Sequence, residues 1–222
     1  MDDIEELTPL KAALFESLLP RMQAEGFQRW PKRDLFVRQR GDIRDSLIII
    51  CIDAVVGHYV KPSVAMRFDR IETVFHQTSG FEKKYQKGTD TVGRSTGDLL
   101  DHSDIPHTRK GRYHLATMAD VGPVTDAIMQ AYHEAGPPFY KYWSSLAVID
   151  AELNDKPEVF LPYISVPWFR CSKGLIAAKL VGRSNFEELV AFYTAVVANA
   201  DKGFYLKWFQ PLVASLAAMK SE

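Results

Sequence analysis

The sequence predicts an α+β fold, with a leading helix, an antiparallel sheet of about four strands and a helical C-terminal half. Three observations predict it. Apolar residues recur at helical spacing near the N-terminus, they alternate or run continuously between Leu35 and Phe68, and they return to helical spacing after Ala119. A single domain over residues 1–222 is expected, with an α/β-meander part at 1–118 and a helical part at 119–222. The chain has 222 residues, 46% hydrophobic and 25% charged, which places it with globular proteins long enough to bury a sizeable core.

Thr8-Pro9 opens the first helix, with a hydroxyl at the N-cap and proline at the first helical position, and Leu10, Leu14, Leu18 and Met22 form its stripe. Pro20 is expected to kink or divide this helix, and Gly26 to end it. WPKRDLFVRQRG alternates at Leu35 and Val37, SLIIICIDAVVG is a β-branched run suited to a strand buried on both faces, and HYVKPSVAMRF alternates again. Gly41-Asp42 and Val56-Gly57-His58 are the expected turns, and RIETVFHQTSG turns helical.

From Gly80 to Arg112 the chain is polar and rich in glycine and charge, which predicts loop with one edge strand around Thr91 to Arg94. RYHLATM reads as a last strand. In DVGPVTDAIMQAYHEAG, Val124, Ile128, Met129 and Tyr132 share a helical face, and Gly136-Pro137-Pro138 predicts a break. FYKYWSSLAVIDAELND then predicts a second helix. Three more follow in WFRCSKGLIAAKLVG, in SNFEELVAFYTAVVANAD with Ser184 and Glu187 as a capping box, and in LKWFQPLVASLAAM.

A formal charge of −1 gives no global pull toward nucleic acid or an anionic membrane. The opening MDDIEELTPLKAALFESLL lacks a basic segment and an uninterrupted apolar stretch, so a soluble cytoplasmic protein is expected. Cys51 and Cys171 are far apart and set among apolar residues, which suits reduced core thiols.

The residues GRSTG, Gly93 to Gly97, match the G-x-S-x-G pattern of a hydrolase nucleophile elbow. That elbow needs a strongly apolar parallel strand feeding a strained turn, and here the preceding YQKGTDTV is polar. The last histidine, His133, also follows Ser95 too soon for the usual order of partners. His102, His107 and His114, with Asp101 and Asp104, suggest a metal cluster by type, but their spacing, interrupted by Pro106 and Gly111, brings no obvious convergence. Phosphate-loop, dinucleotide and zincin motifs are absent from the sequence, and Glu187-Glu188 suits a helix N-terminus better than acid/base chemistry.

One local patch is basic. Arg29, Lys32, Arg33, Arg38, Arg40 and Arg44 are interleaved with Trp30 and Phe36. Such a stretch suits RNA, an acidic protein partner, or a strand edge blunted by charge against further pairing.

The stretch LLPRMQAEGFQRW followed by LFVRQRGDIRDSLIIICI resembles the DUF4304 group of small bacterial proteins, in which a proline-containing helix reaches a Gly-Phe pair, here Gly26-Phe27, and then an aromatic-Arg strand, here Phe36 to Arg38. YHLATMADVGPVTDAIMQAYHEAGPPFYKYWSSLAVIDAEL is similar to the second part of that group, so the resemblance spans roughly residues 8 to 155. It implies a non-enzymatic binding protein similar to the immunity proteins of polymorphic-toxin and type VI secretion systems, with a cognate toxin domain as partner and no cofactor, metal, nucleic acid or membrane. On this reading the partner-binding residues are Arg38, Arg40 and Arg44 on the basic strands, and Ser95, Asp101, His102, Asp104, His107, Arg109 and Arg112 on the loop. The alternatives are a small hydrolase using Ser95 or a metal at His102 and His107, and an RNA-binding module using the basic segment.

Overall fold

The computed structural model describes residues 8–30, 33–100, 111–164 and 166–219. In chain order the elements are α1 (Pro9–Ala24), β1 (Gln28–Arg29), β2 (Leu35–Arg40), β3 (Ile43–Asp53), β4 (His58–Phe68), α2 (Asp69–His76), α3 (Lys83–Gln86), β5 (Val92–Ser95), α4 (Thr96–Leu100), β6 (Tyr113–Leu115), α5 (Val121–Tyr142), α6 (Leu146–Asn154), α7 (Pro167–Leu180), α8 (Phe186–Asn199) and α9 (Leu206–Ala218). The expected α+β architecture is present, and the antiparallel sheet has six strands in the order β1-β2-β3-β4-β5, with β6 also on β4.

The chain divides into two compact units that interleave in sequence: residues 1–65 with 93–141, and residues 66–92 with 142–222.

In the first unit, α1 begins as expected, with the Thr8 hydroxyl accepting from the Lys11 amide at 3.4 Å and Pro9 at the first position. It runs through Pro20 without dividing and stops before Gly26, whose φ of +80° suits glycine. Gly41, at φ +61°, sits first in the two-residue turn joining β2 to β3 and fixes their register, with Arg40 opposite Ile43 and Arg38 opposite Asp45. Phe15 and Phe36 meet at 5.7 Å, so α1 packs on β2, and Phe27, between α1 and β1, meets Tyr132 of α5 at 5.8 Å.

The expected break at Gly136-Pro137-Pro138 does not occur, because α5 continues to Tyr142. Ala135, Gly136, Phe139 and Tyr140 are buried while Pro137 and Pro138 are exposed. The carbonyls that lose a helical donor, those of His133 and Glu134, therefore belong to solvent-facing residues where water replaces the bond, and the buried face holds the helix together. The helix expected from Phe139 accordingly starts later, as α6 at Leu146.

In the second unit α7 is central and packs against α2, α6, α8 and α9. The buried Arg170 guanidinium donates to the carbonyls of Leu153 at 2.9 Å, Lys156 at 2.9 Å and Val159, and so satisfies the free carbonyl end of α6. Gly174 allows a close approach, since a Cβ there would lie 2.7 Å from Asn154 Oδ1. The Ser184 capping box does not form; Asn185 holds the cap position, and its side-chain oxygen is taken by Arg183 Nε at 2.9 Å.

Candidate functional site

The basic segment is organised by one carboxylate. Strand alternation places Arg38 and Arg40 on the same face of β2, and the β2–β3 register sets Asp45 opposite Arg38. Asp45 is fully buried, with its Oδ2 accepting from Arg38 Nε at 3.1 Å, Arg38 Nη2 at 2.9 Å and Arg40 Nε at 2.7 Å, and its Oδ1 from Arg40 Nη2 at 2.7 Å. Two cations on one anion leave a net positive charge, and these charge-assisted bonds fix both guanidinium planes. The hydrogen bond to Asp45 raises the Arg40 pKa further above its already high value.

Arg38 is held on further sides, by the Glu25 carbonyl at 3.0 Å and by the Phe27 ring at 4.7 Å. Its side chain is 29% exposed and that of Arg40 is 37% exposed, so both remain within reach of a partner. Among the described strands β1 pairs only with Phe36 and Val37, which leaves Arg38 to Arg40 on an uncovered stretch of β2. Arg44 belongs to the opposite face, buried with its guanidinium 5.0 Å from the Trp30 ring.

Ser95 ends β5, and a helix does follow it. The strand is only four residues long and lies in an antiparallel sheet, and the serine is 5% exposed. Its Oγ accepts from the Asp98 amide at 3.2 Å, as a capping serine does at the start of α4. Gly97 has a structural use as well: a Cβ on Gly111, which has φ +70°, would come within 2.4 Å of the Gly97 Cα, so the two glycines pack backbone to backbone. Arg112 is exposed beside β6. The remaining loop candidates, Asp101, His102, Asp104, His107 and Arg109, lie outside the described residues. Among the described residues no group of three or more His, Cys, Asp or Glu side chains is placed to hold a metal ion.

The second unit contains a buried ionic cluster that the pattern of residues did not announce. Glu72 on α2 is fully buried and accepts from Lys173 Nζ at 2.8 Å, Thr89 Oγ1 at 2.7 Å and Thr91 Oγ1 at 3.0 Å. Arg67 lies 3.8 Å away and donates to the carbonyls of Gln86 at 2.9 Å and Thr89 at 3.1 Å, and Lys173 also reaches the Asp90 carbonyl at 2.5 Å. Burial works to raise the Glu72 pKa, but Lys173, Thr89 and Arg67 outweigh it and hold the carboxyl below its ordinary range. Its signal in the sequence is a charge set among apolar helical positions on each partner: Glu72 beside Ile71 and Phe75, and Lys173 within the buried run from Cys171 to Ala178.

The fold and these residues define an α+β protein with a carboxylate-anchored arginine pair on a strand edge. Among the described residues no helix is long and apolar enough to cross a membrane. Compared with protein-family models, with curated proteins and with solved structures, the chain finds no match in any of the three.

Proposed function

We propose that this chain is an immunity protein, which acts in the cytoplasm and neutralises one cognate bacterial toxin domain by covering its active site. The observation that carries the reading is the pair of guanidiniums fixed on Asp45 with one positive charge uncompensated within the trio. A binding protein of this kind needs a rigid, charged contact surface and no catalytic group. Preorganised cations lower the entropic cost of meeting a carboxylate, and they steer association while suppressing wrong partners. The resemblance of residues 8 to 155 to DUF4304-like proteins points to the same class.

Charge reversal tests the contact. With a candidate toxin domain, cloned from the C-terminal part of whatever protein the adjacent reading frame encodes, as probe, Arg40→Glu is expected to weaken binding by about a hundredfold, a loss of the size measured when charge pairs in interfaces are broken. Equal affinity of wild type and variant removes this surface from the interface. A strongly salt-dependent affinity for RNA, with no complex formed with the toxin domain, replaces the reading with a nucleic-acid one.

A further inference from the structure

His76 closes α2, and its side chain is 5% exposed. Both ring nitrogens meet hydroxyls, Nδ1 at 2.9 Å from Ser79 Oγ and Nε2 at 2.8 Å from Thr89 Oγ1. The surrounding groups fix the protons. Thr89 Oγ1 lies 2.7 Å from the Glu72 carboxylate and 3.0 Å from the Gln86 carbonyl, both of which only accept, so the threonine spends its single proton on one of them. Arg67 Nη1 donates to the same hydroxyl at 2.9 Å, and the Thr89 oxygen is left to accept from His76. Nε2 therefore carries the ring proton, and Nδ1 takes the proton of the Ser79 hydroxyl. Ser79 Oγ in turn accepts the Phe81 amide at 3.3 Å.

We infer that neutral His76 is a proton-operated latch, and that protonation of Nδ1 releases the segment 77–91 from α2 and α7. A protonated Nδ1 points its hydrogen at a hydroxyl already aimed back at it. The Ser79 proton must then turn away from Nδ1, in a site where Ser79 is itself only 3% exposed. With Arg67 and Lys173 the added charge makes three cations against the two carboxylates Glu72 and Asp69.

The charged groups facing the ring are Glu72 on α2, Arg67 on β4 and Lys173 on α7, with Asp69 paired to Arg67 at 2.6 Å. Both Glu72 oxygens are already engaged, Oε1 by Lys173 and Thr91 and Oε2 by Thr89. Burial lowers the imidazole below its ordinary value, and Arg67 and Lys173 add to that against the opposing pull of Glu72 and a backbone contact to Gln86. Ser79 and Thr89 tie the segment to the histidine itself, while Gln86, Asp90 and Thr91 tie it to Arg67, Lys173 and Glu72, so a charge added at His76 acts directly on the first two anchors and electrostatically on the other three.

This goes beyond the binding function and does not depend on it. Amide hydrogen exchange of the full chain at about pH 7.5 and about pH 5, corrected for intrinsic exchange, tests it. Peptides covering 77–91 are expected to exchange about tenfold faster at the lower pH, with β2 and β3 unchanged and the difference gone in His76→Gln. Imidazole NMR of the wild type gives a second reading that needs no variant: an Nε2–H tautomer at the higher pH, titrating together with the exchange change. An Nδ1–H tautomer, a pH-independent segment, or a pH response that persists in His76→Gln overturns the latch.

Discussion

Arg38 and Asp45 face each other across the β2–β3 ladder, and the buried carboxylate of Asp45 takes two nitrogens from Arg38 and two from Arg40. The trio makes a strand edge into a fixed cationic surface. Its energetics are asymmetric, because the acid is buried and unique while the two bases are part exposed and share it.

Asp45→Ala is expected to cost about 2 kcal/mol, since both guanidiniums lose a charged acceptor and only water replaces it. Arg40→Ala is expected to cost less than about 1 kcal/mol, because Asp45 keeps Arg38 and the lost pair was part exposed. Urea unfolding midpoints compare the two, and an equal cost would contradict the asymmetry.

The Glu72–Lys173 pair should behave as a buried ion pair does. Glu72→Gln leaves a buried ammonium without its counter-charge and is expected to cost about 3–5 kcal/mol, whereas Glu72→Leu with Lys173→Met should fall within about 2 kcal/mol of wild type. Thermal unfolding followed by near-ultraviolet dichroism, which reports the packed Trp168, distinguishes them. A double variant as damaged as the single one would mean that the cluster's geometry matters more than its charge.

Acid should destabilise the chain in two stages. His76 has its folded pKa depressed, so its contribution is intact above the ordinary imidazole value of 6.5 and is lost as the pH falls from there toward the folded value. Glu72 is also depressed, and its contribution is lost as the pH falls below the ordinary carboxylate value of 4.5 toward and through the folded one. Stability measured against pH should therefore decline first below 6.5 and again below 4.5, and His76→Gln should remove the first step only.

Burial pushes the Cys51 thiol up to about 11 and the Cys171 thiol up to about 12. Each unit removes a factor of about ten in thiolate, about half of it offset by the greater nucleophilicity of a more basic thiolate, so Cys51 should react with a disulfide reagent about tenfold slower than a free cysteine, buried Cys171 more slowly still, and both at the free rate once unfolded. A prompt reaction of Cys171 in the native chain would contradict its burial.

Much of the fold was legible because local signals and packing agree. Gly41-Asp42 marks a two-residue turn, and that turn alone sets Arg38 opposite Asp45. The alternation in LFVRQR then separates Arg38 and Arg40 from Arg44. Pro137 and Pro138 misled because the effect of a proline depends on which face of the helix it occupies, and that face is set by the burial of Phe139 and Tyr140. Ser184 lies one residue before the cap position that Asn185 takes, and a shift of one residue at a helix start is not fixed by the local letters. The Glu72–Lys173 pairing was not legible because it joins residues far apart in the chain, and nothing local to either says which partner it will meet. Ser95 carried a motif whose five letters suit a helix cap and its packing glycines as well as they suit a nucleophile.

The most direct test of the proposed function is growth of cells that express a candidate toxin domain, cloned from the C-terminal part of whatever protein the adjacent reading frame encodes. Co-expression of the wild-type chain should restore growth and yield an isolable complex, while Arg38→Glu with Arg40→Glu, confirmed to be folded, should restore neither. Cells that stop growing with the wild-type chain present at equal or greater abundance, with no complex recovered, would contradict it.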